Sequence, residues 1–314
     1  MEALLEDSTA GDPMTGLKWT YRSIRRLAKA LRRHGFKLSS NTVARLLRRM
    51  DFSLRTNRKT LAEVSDPDRD RQFRYLNRLR SYYITLGWPV ISVDSKKKEL
   101  IGPFKNPGRT WRRKVHQVFA HDFPSLAKGR GIPYGIYDVK HNDGLVVVGT
   151  SHDTPTFAVS CIRQWWLKRG RGRGRYPDAP RLLIEADGGG SNDYRKWEWK
   201  LALQDLADEF NLVITVTHYP PGASKWNPID HRMFSLISNN WKGEPLTSYE
   251  IMLKHIRRTR SQEGFHCQAC LDTREYPEKG KISPEERARV RLQRRKVLPQ
   301  WNYSILPHGR SRDC

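Results

Sequence analysis

Acidic residues are what this chain is short of. Its 314 residues hold 33 Asp and Glu against 58 Lys and Arg, a formal net charge of +25 with a pI near 10.2. A surplus of that size points to a polyanionic partner, nucleic acid before any other. Cysteine is scarce too. Cys161, Cys267, Cys270 and Cys314 are too few and too scattered for a disulfide framework, which predicts a reducing, intracellular setting. No apolar run approaches the roughly 20 residues needed to span a bilayer, so no membrane partner is expected. The opening Met1-Glu2-Ala3-Leu4-Leu5-Glu6-Asp7 is acidic and does not read as a signal peptide. What remains, 37% hydrophobic residues in a chain of this length, can bury a substantial core in one large domain with smaller attachments.

The basic residues are unevenly placed. Residues 1–16 read as a polar, flexible leader. Between Leu17 and Thr60 stand 14 Lys and Arg and the single acid Asp51. Ile24, Leu27, Ala28 and Leu31 repeat at three- and four-residue steps, predicting a helix from about Thr20 to Arg33 that ends at His34-Gly35. Ser39 or Ser40 caps a second helix with Val43, Leu46 and Leu47 inward. Two short helices about a glycine turn, with Arg45, Arg48 and Arg49 on the second, predict a helix-turn-helix over 17–60. Arg55, Arg58 and Lys59 then form an arm suited to phosphates. A helix over about Asp66–Leu86, with Phe73, Leu76 and Leu79 as its stripe, is expected to link (61–87) to a core at 88–244.

In so basic a chain the positions of the few acids carry information. Val90-Ile91-Ser92-Val93 is β-branched and apolar and ends on Asp94. Leu182-Leu183-Ile184-Glu185-Ala186 ends on Asp187, followed by Gly188-Gly189-Gly190. A third run, Leu212–Val216, leads through a polar loop to Asn227-Pro228, an N-cap and a first helical residue, which puts Asp230 in a helix's first turn. Strands are also expected at Tyr134–Val139 and Leu145–Thr150, joined by an Asp-Gly turn. A helix capped by Asp153 or Thr154 follows, and another is capped by Ser191-Asn192-Asp193 and runs to about Phe210. The order is strand, strand, strand, helix, strand, helix, strand, helix.

An acid at the end of a buried strand is costly unless a cation neutralises it. Three of them predict a divalent-metal site, Mg2+ or Mn2+, acting on phosphate. Two ions roughly 4 Å apart can run an in-line phosphodiester displacement, and magnesium takes a few carboxylates and keeps its waters. Asp94 is placed to bridge the ions, with Asp187 and Asp230 flanking. Glu185 competes with Asp187, since alternation puts both on one face. Lys96, Lys97 and Lys98 stand where they could hold the scissile strand. Arg112 and Arg113 around Trp111, and Lys225 in the loop before Asn227, complete the expected DNA contacts. The run Arg169–Arg175, alternating with glycine, reads as a flexible cationic loop riding on phosphates. The tail, 245–314, is expected to be helical, with capping boxes Thr247-x-x-Glu250 and Ser283-x-x-Glu286 starting helices over roughly 248–261 and 284–297. A lone Cys267-x-x-Cys270 lacks the second ligand pair of a zinc site.

Three motifs, Ile91-Ser92-Val93-Asp94-Ser95-Lys96-Lys97-Lys98-Glu99, Ala186-Asp187-Gly188-Gly189-Gly190-Ser191-Asn192 and Pro220-Pro221-Gly222-Ala223-Ser224-Lys225-Trp226-Asn227, closely resemble the ISAzo group of insertion-sequence transposases, DDE enzymes distantly related to Tc/mariner. The resemblance runs over about residues 15–305. It implies an α/β, ribonuclease-H-like mixed sheet flanked by helices, with Asp94, Asp187 and Asp230 as catalytic acids and two Mg2+ or Mn2+ ions as cofactors. It also implies cut-and-join chemistry on terminal inverted repeats and target DNA, a homodimer on DNA, and a cytoplasmic, nucleoid-associated location. The family carries more helical sequence upstream, which implies a shortened end-recognition module here. One departure stands out: the family reads Ile-Glu-His-Arg where this chain has Ile229-Asp230-His231-Arg232. The shorter acid leaves two rival readings open, an inert DNA-binding repressor and a stand-alone ribonuclease-H-like nuclease.

Overall fold

The computed structural model describes residues 9–11, 18–20, 23–50, 52, 67–110, 114–170, 174–223, 226–278 and 280–309. The chain divides into two compact units, Met1–Ala62 and Glu63–Cys314. In the first, β1 (Thr9–Gly11) pairs antiparallel with β2 (Lys18–Thr20), so part of the expected leader is strand. Helices α1 (Ile24–Arg33) and α2 (Ser40–Arg49) follow, each opened by a serine whose hydroxyl accepts an N–H of the first turn, Ser23 from Arg26 and Ser39 from Thr42. Gly35, at φ +87°, makes the turn between them. Leu27, Ala28, Leu31, Val43 and Leu47 form their shared core. Arg45, Arg48 and Arg49 lie exposed on the opposite side of α2.

The second unit is built on a nine-stranded mixed sheet. Its strands are β3 (Val90–Ser95), β4 (Glu99–Ile101), β5 (Gly129–Asp138), β6 (Asp143–Gly149), β7 (Arg181–Ala186), β8 (Val213–His218), β9 (His266–Asp272), β10 (Leu292–Arg294) and β11 (Asn302–Ile305). They lie in the order β10-β11-β8-β7-β3-β5-β6-β9, with β4 paired to β5. Strands β3, β5 and β6 form an antiparallel meander, whereas β7 runs parallel to β3 and β8 parallel to β7. That is the ribonuclease-H-like arrangement the motifs imply.

Alternation along β3 divides the layers. Ile91 and Val93 face a large core shared with α4 (Pro155–Trp165) and α5 (Trp197–Phe210), which holds Phe157, Trp165, Trp199 and Leu203. Met233, Phe234, Met252 and Ile256 cover the other face of β5 and β6, from the segment around α6 (Ser235–Asn240) and from α7 (Tyr249–Arg257).

The tail is not a helical extension. It supplies strands to both edges of the sheet, β9 beside β6 and β11 beside β8. The helix expected over 284–297 is the five-residue α8 (Pro284–Ala288), although its capping box is formed. Beyond it Val290 and Leu292 repeat at two, not three or four, and both pack on the main core. On β9, Cys267 is buried and Cys270 half-buried; both thiols are free.

Helix α3 (Arg69–Thr85), expected as a linker, is packed on the sheet. Its Gln72, wholly buried, donates to the Thr217 hydroxyl (3.1 Å), the His218 carbonyl (2.8 Å) and Asn302 Oδ1 (2.9 Å). The Tyr83 hydroxyl donates to Thr215 at 2.9 Å. Arg80 makes a two-pronged pair with the fully buried Glu185, Nε to Oε1 at 2.7 Å and Nη2 to Oε2 at 2.6 Å. Glu185 is thereby bound to α3 and is not in competition with Asp187. Removing one partner of such a pair leaves the other charged and buried, at a cost of about 3–5 kcal/mol, whereas replacing both by apolar groups is often neutral. Arg80→Ala is therefore expected to lose about 3–5 kcal/mol in urea unfolding, and Arg80→Leu combined with Glu185→Leu to recover most of it.

Candidate active site

Asp94 is the penultimate residue of β3 and faces the same side of the sheet as Ser92. The Ser95 backbone N–H donates to its Oδ1 at 2.7 Å. Across β5 its register partner is Gly135. A Cβ there would collide with the Met233 and Phe234 side chains, so the glycine lets the segment carrying Asp230 lie against the sheet. That segment is not a plain helix start. Asp230–Phe234 is a π-helical turn, closed by the Ser235 N–H donating to the Asp230 carbonyl, and it runs on into α6. Wide turns of this kind are rare and cluster at functional sites. The Ser92 hydroxyl donates to the side-chain oxygen of Asn227, both residues fully buried. The Asn227 carbonyl accepts the Asp230 N–H at 3.1 Å. Strand β3 thus holds the entry to the Asp230 turn two residues from Asp94.

Asp187 lies one residue past β7. The Gly189 N–H and the Asn192 amide both hydrogen-bond its carboxylate, and Asn192 Oδ1 in turn accepts from Tyr134 at 2.8 Å. The Ser191 hydroxyl pairs with that of Ser95 at 3.2 Å. Ser191-Asn192-Asp193, expected to cap a helix, therefore serves the site. A 3-10 turn spans Gly190–Asn192 and α5 begins only at Trp197. On the far side His218 is fully buried, with Nδ1 2.8 Å from the Asp187 carbonyl and Nε2 3.0 Å from the Tyr303 hydroxyl. Burial lowers its pKa to about 4, which keeps the imidazole neutral at ordinary pH.

The three predicted acids gather near the ends of β3 and β7. Burial first, then the charges of Asp187 and Asp230, push the Asp94 carboxyl well above its ordinary range. Burial raises Asp187 to about 6, with Asp230 and Asp153 adding to the rise. Burial raises Asp230 as well, opposed by His231 and Lys96. Asp153 is a fourth acid of the group. Read from the sequence as one of two possible helix caps, it leaves that role to Thr154. It accepts from the Ser95 hydroxyl at 2.8 Å and pairs with Lys98 at 3.9 Å. Lys96 lies over the Trp241 ring at 5.1 Å, and burial lowers its pKa. Lys97 and Lys98 are exposed. Arg55, Arg58, Lys59, Arg112, Arg113 and Lys225 lie outside the described residues. The expected Arg-Gly loop is pinned at both ends, since Arg169 pairs with Asp143 and Arg175 with Asp143 and Asp138.

The residues present fit a divalent cation. Asp187 Oδ1 is buried without a hydrogen-bond partner, in a group of like charges that a bound cation would relieve. Among the described residues no three His, Cys, Asp or Glu side chains close on one point as a ligand set. An ion that takes one or two carboxylates and keeps its waters suits this open arrangement.

A protein-family model described as the Rhodopirellula transposase DDE domain matches residues 1–307. The chain belongs to that family. The three motifs had pointed to this class of transposase. Among solved structures, the Mos1 transposase paired-end complex with left transposon end is 15% identical, covering 81% of this chain and 67% of that one, at a TM-score of 0.44. The Mos1 strand transfer complex is 16% identical, with coverages of 81% and 67% and a TM-score of 0.43. The HTLV-2 integrase catalytic core domain in complex with magnesium is 10% identical, covering 56% of this chain and 91% of that one, at 0.30. No curated protein matches. Among the described residues no helix is long and apolar enough to cross a membrane.

A carboxyl whose pKa is higher folded than unfolded binds more protons in the folded state. Its contribution to stability is therefore lost as pH rises from the unfolded to the folded value. For Asp187 that window runs from its ordinary 3.8 to about 6. Without divalent ions, Asp187→Asn is expected to melt about 2–4 °C above the parent at pH 7.5, what roughly 1 kcal/mol gives in a body this size. The gain should shrink as pH falls from 6 towards 4 in a thermal scan.

Proposed function

We propose that this transposase cuts and joins DNA strands at the ends of its parent element. In this reading Asp94, Asp187 and Asp230 hold two divalent ions, Mg2+ or Mn2+. The observation that carries it is the gathering of the three acids at the sheet end, with one carboxylate oxygen of Asp187 buried and unpartnered. The bound ions would supply a metal-activated nucleophile and steady the leaving oxygen. The chain's own residues do the rest. Asp94 feels the charges of both Asp187 and Asp230, which suits it to bridge the two ions. The glycines after Asp187 let a DNA backbone approach without a Cβ in the way. Lys97 and Lys98 offer exposed cations beside Asp94, while Lys96, held over Trp241, brings a partly buried charge toward Asp230. In the first unit, α1 and α2 form a helix-turn-helix that presents Arg45, Arg48 and Arg49 to the element ends, with Arg55, Arg58 and Lys59 following on phosphates. Arg112, Arg113 and Lys225 add further DNA contacts. Paired ends call for a dimer on DNA.

One observation favours a second reading, an inert DNA-binding copy: Asp230 is a methylene shorter than the family's glutamate. A shortfall of about 1 Å can cost roughly a hundredfold in rate. Gly135, by letting the segment that carries Asp230 lie close against the sheet, works against that shortfall.

Mg2+-dependent nicking of DNA carrying the element ends is the expected result, lost in Asp94→Ala. Labelled ends should also be joined to target DNA. Nicking without joining would mark a nuclease, and specific binding without nicking an inert copy. Asp230→Glu should keep or raise the rate. A fall would mean that the site has adapted to aspartate. In gel-shift titrations Arg48→Ala should weaken binding to element ends by about tenfold, the 1–3 kcal/mol of a base-reading arginine, and random DNA by less.

A further inference from the structure

We infer that His218 is a positioning residue for Asp187, held in one tautomer by a hydrogen-bond chain that begins at Trp199 in the core and passes through Tyr303. The inference rests on the reading of Asp187 as a metal ligand.

The chain has a single self-consistent polarity. A carbonyl oxygen only accepts, so at 2.8 Å from the Asp187 carbonyl the Nδ1 of His218 must carry the proton. In the neutral ring Nε2 is then bare and accepts from the Tyr303 hydroxyl at 3.0 Å. The Tyr303 oxygen accepts in turn from the indole N–H of Trp199, 2.9 Å away. Trp199, His218 and Tyr303 are all buried to within 1% of full exclusion, so water does not compete for these groups.

The imidazole stands in a fixed frame. The His218 N–H donates to the Trp301 carbonyl at 3.0 Å, and its carbonyl accepts from Gln72 at 2.8 Å. The adjacent Tyr219 N–H donates to the Ala186 carbonyl at 2.9 Å, which locks β8 to the end of β7. Asp187 is the first residue beyond that ladder. Its carboxylate is steered by Gly189 and Asn192, and its backbone by the His218 ring. Partners of this kind behind a metal ligand typically cost ten- to a hundredfold in metal affinity or activity when removed. Tyr303 belongs to β11, so the last strand of the sheet reaches the site through two side chains.

Nitrogen-15 NMR of the histidine-labelled full chain tests the geometry directly. The expected His218 spectrum has a protonated Nδ1 and a bare Nε2, the reverse of the tautomer that free imidazole side chains prefer. A second readout is the Mn2+ concentration that half-saturates the rise in melting temperature. Tyr303→Phe, which removes one oxygen, should raise it about tenfold, and His218→Leu more than that. His218→Asn places an amide N–H near the Nδ1 position and should bring the value back to within about threefold of the parent. Affinity for DNA should be the same in all of them. An Nε2-protonated ring, or a Tyr303→Phe protein that binds Mn2+ like the parent, overturns the inference, and the latter stands even where His218→Leu fails to fold. A parent protein that neither nicks DNA nor responds to Mn2+ would overturn the proposed function instead, while the tautomer spectrum still decides the hydrogen-bond chain.

Discussion

Carboxylates that repel one another in a poorly solvated corner are the constraint on which the second unit is organised. Asp94, Asp187 and Asp230 come from a strand, a strand end and a helical turn separated by 93 and 43 residues of sequence, and each is raised above its ordinary pKa. Left to themselves such groups would move apart or protonate. They are held because each sits on backbone fixed by something else: β3 by its two sheet neighbours, the Asp230 turn by the Ser92–Asn227 link, and Asp187 by Gly189, Asn192 and His218. Stability given up at a site of this kind is the usual trade for function.

The two faces of the sheet divide this work. The face under α4 and α5 is dry and apolar, and supplies the burial that stabilises the unit. The opposite face carries a stripe of polar side chains on neighbouring strands, Ser92, Glu185, Thr217 and Asn302, in register across β3, β7, β8 and β11. Each finds its partner in α3 or in the loop before Asp230, so few polar groups are left unpaired. Such a stripe fixes where α3 and the acid-bearing segments must lie, which interchangeable apolar contacts do less sharply.

Much of this was legible in the sequence. The run ending at Asp94 is β-branched and the run ending at Asp187 mostly apolar, and both are buried, so strand and acid declared themselves together. The serine cap of α2 and the start of α4, at Asp153 or Thr154 before Pro155, also read directly. The strands from the tail did not. Asn302-Tyr303-Ser304-Ile305 is fully buried yet half polar, and only the partners supplied by Gln72, Thr217 and Thr215 make that burial tolerable. Those partners stand 85 to 230 residues away, beyond the reach of a local pattern. In the same way α3 showed its apolar stripe but not the buried contacts of Gln72 and Arg80. Past Ala288 a two-residue period overrode a well-formed capping box. Asp153 was visible only as a cap candidate, because its nearness to Asp94 follows from how β6 and β3 flank β5.

Strand β11 has a consequence for the order of events in the cell. Pairing it with β8 requires residues 302–305 to be joined to a sheet whose centre was made more than 80 residues earlier. Contacts of that separation form late. As the chain emerges from the ribosome, the helix pair of the first unit can fold while the sheet still lacks the strand that carries Tyr303. A nascent chain thus gains its basic surface before the strand that carries Tyr303, and with it the hydrogen-bond chain to Asp187, is in place.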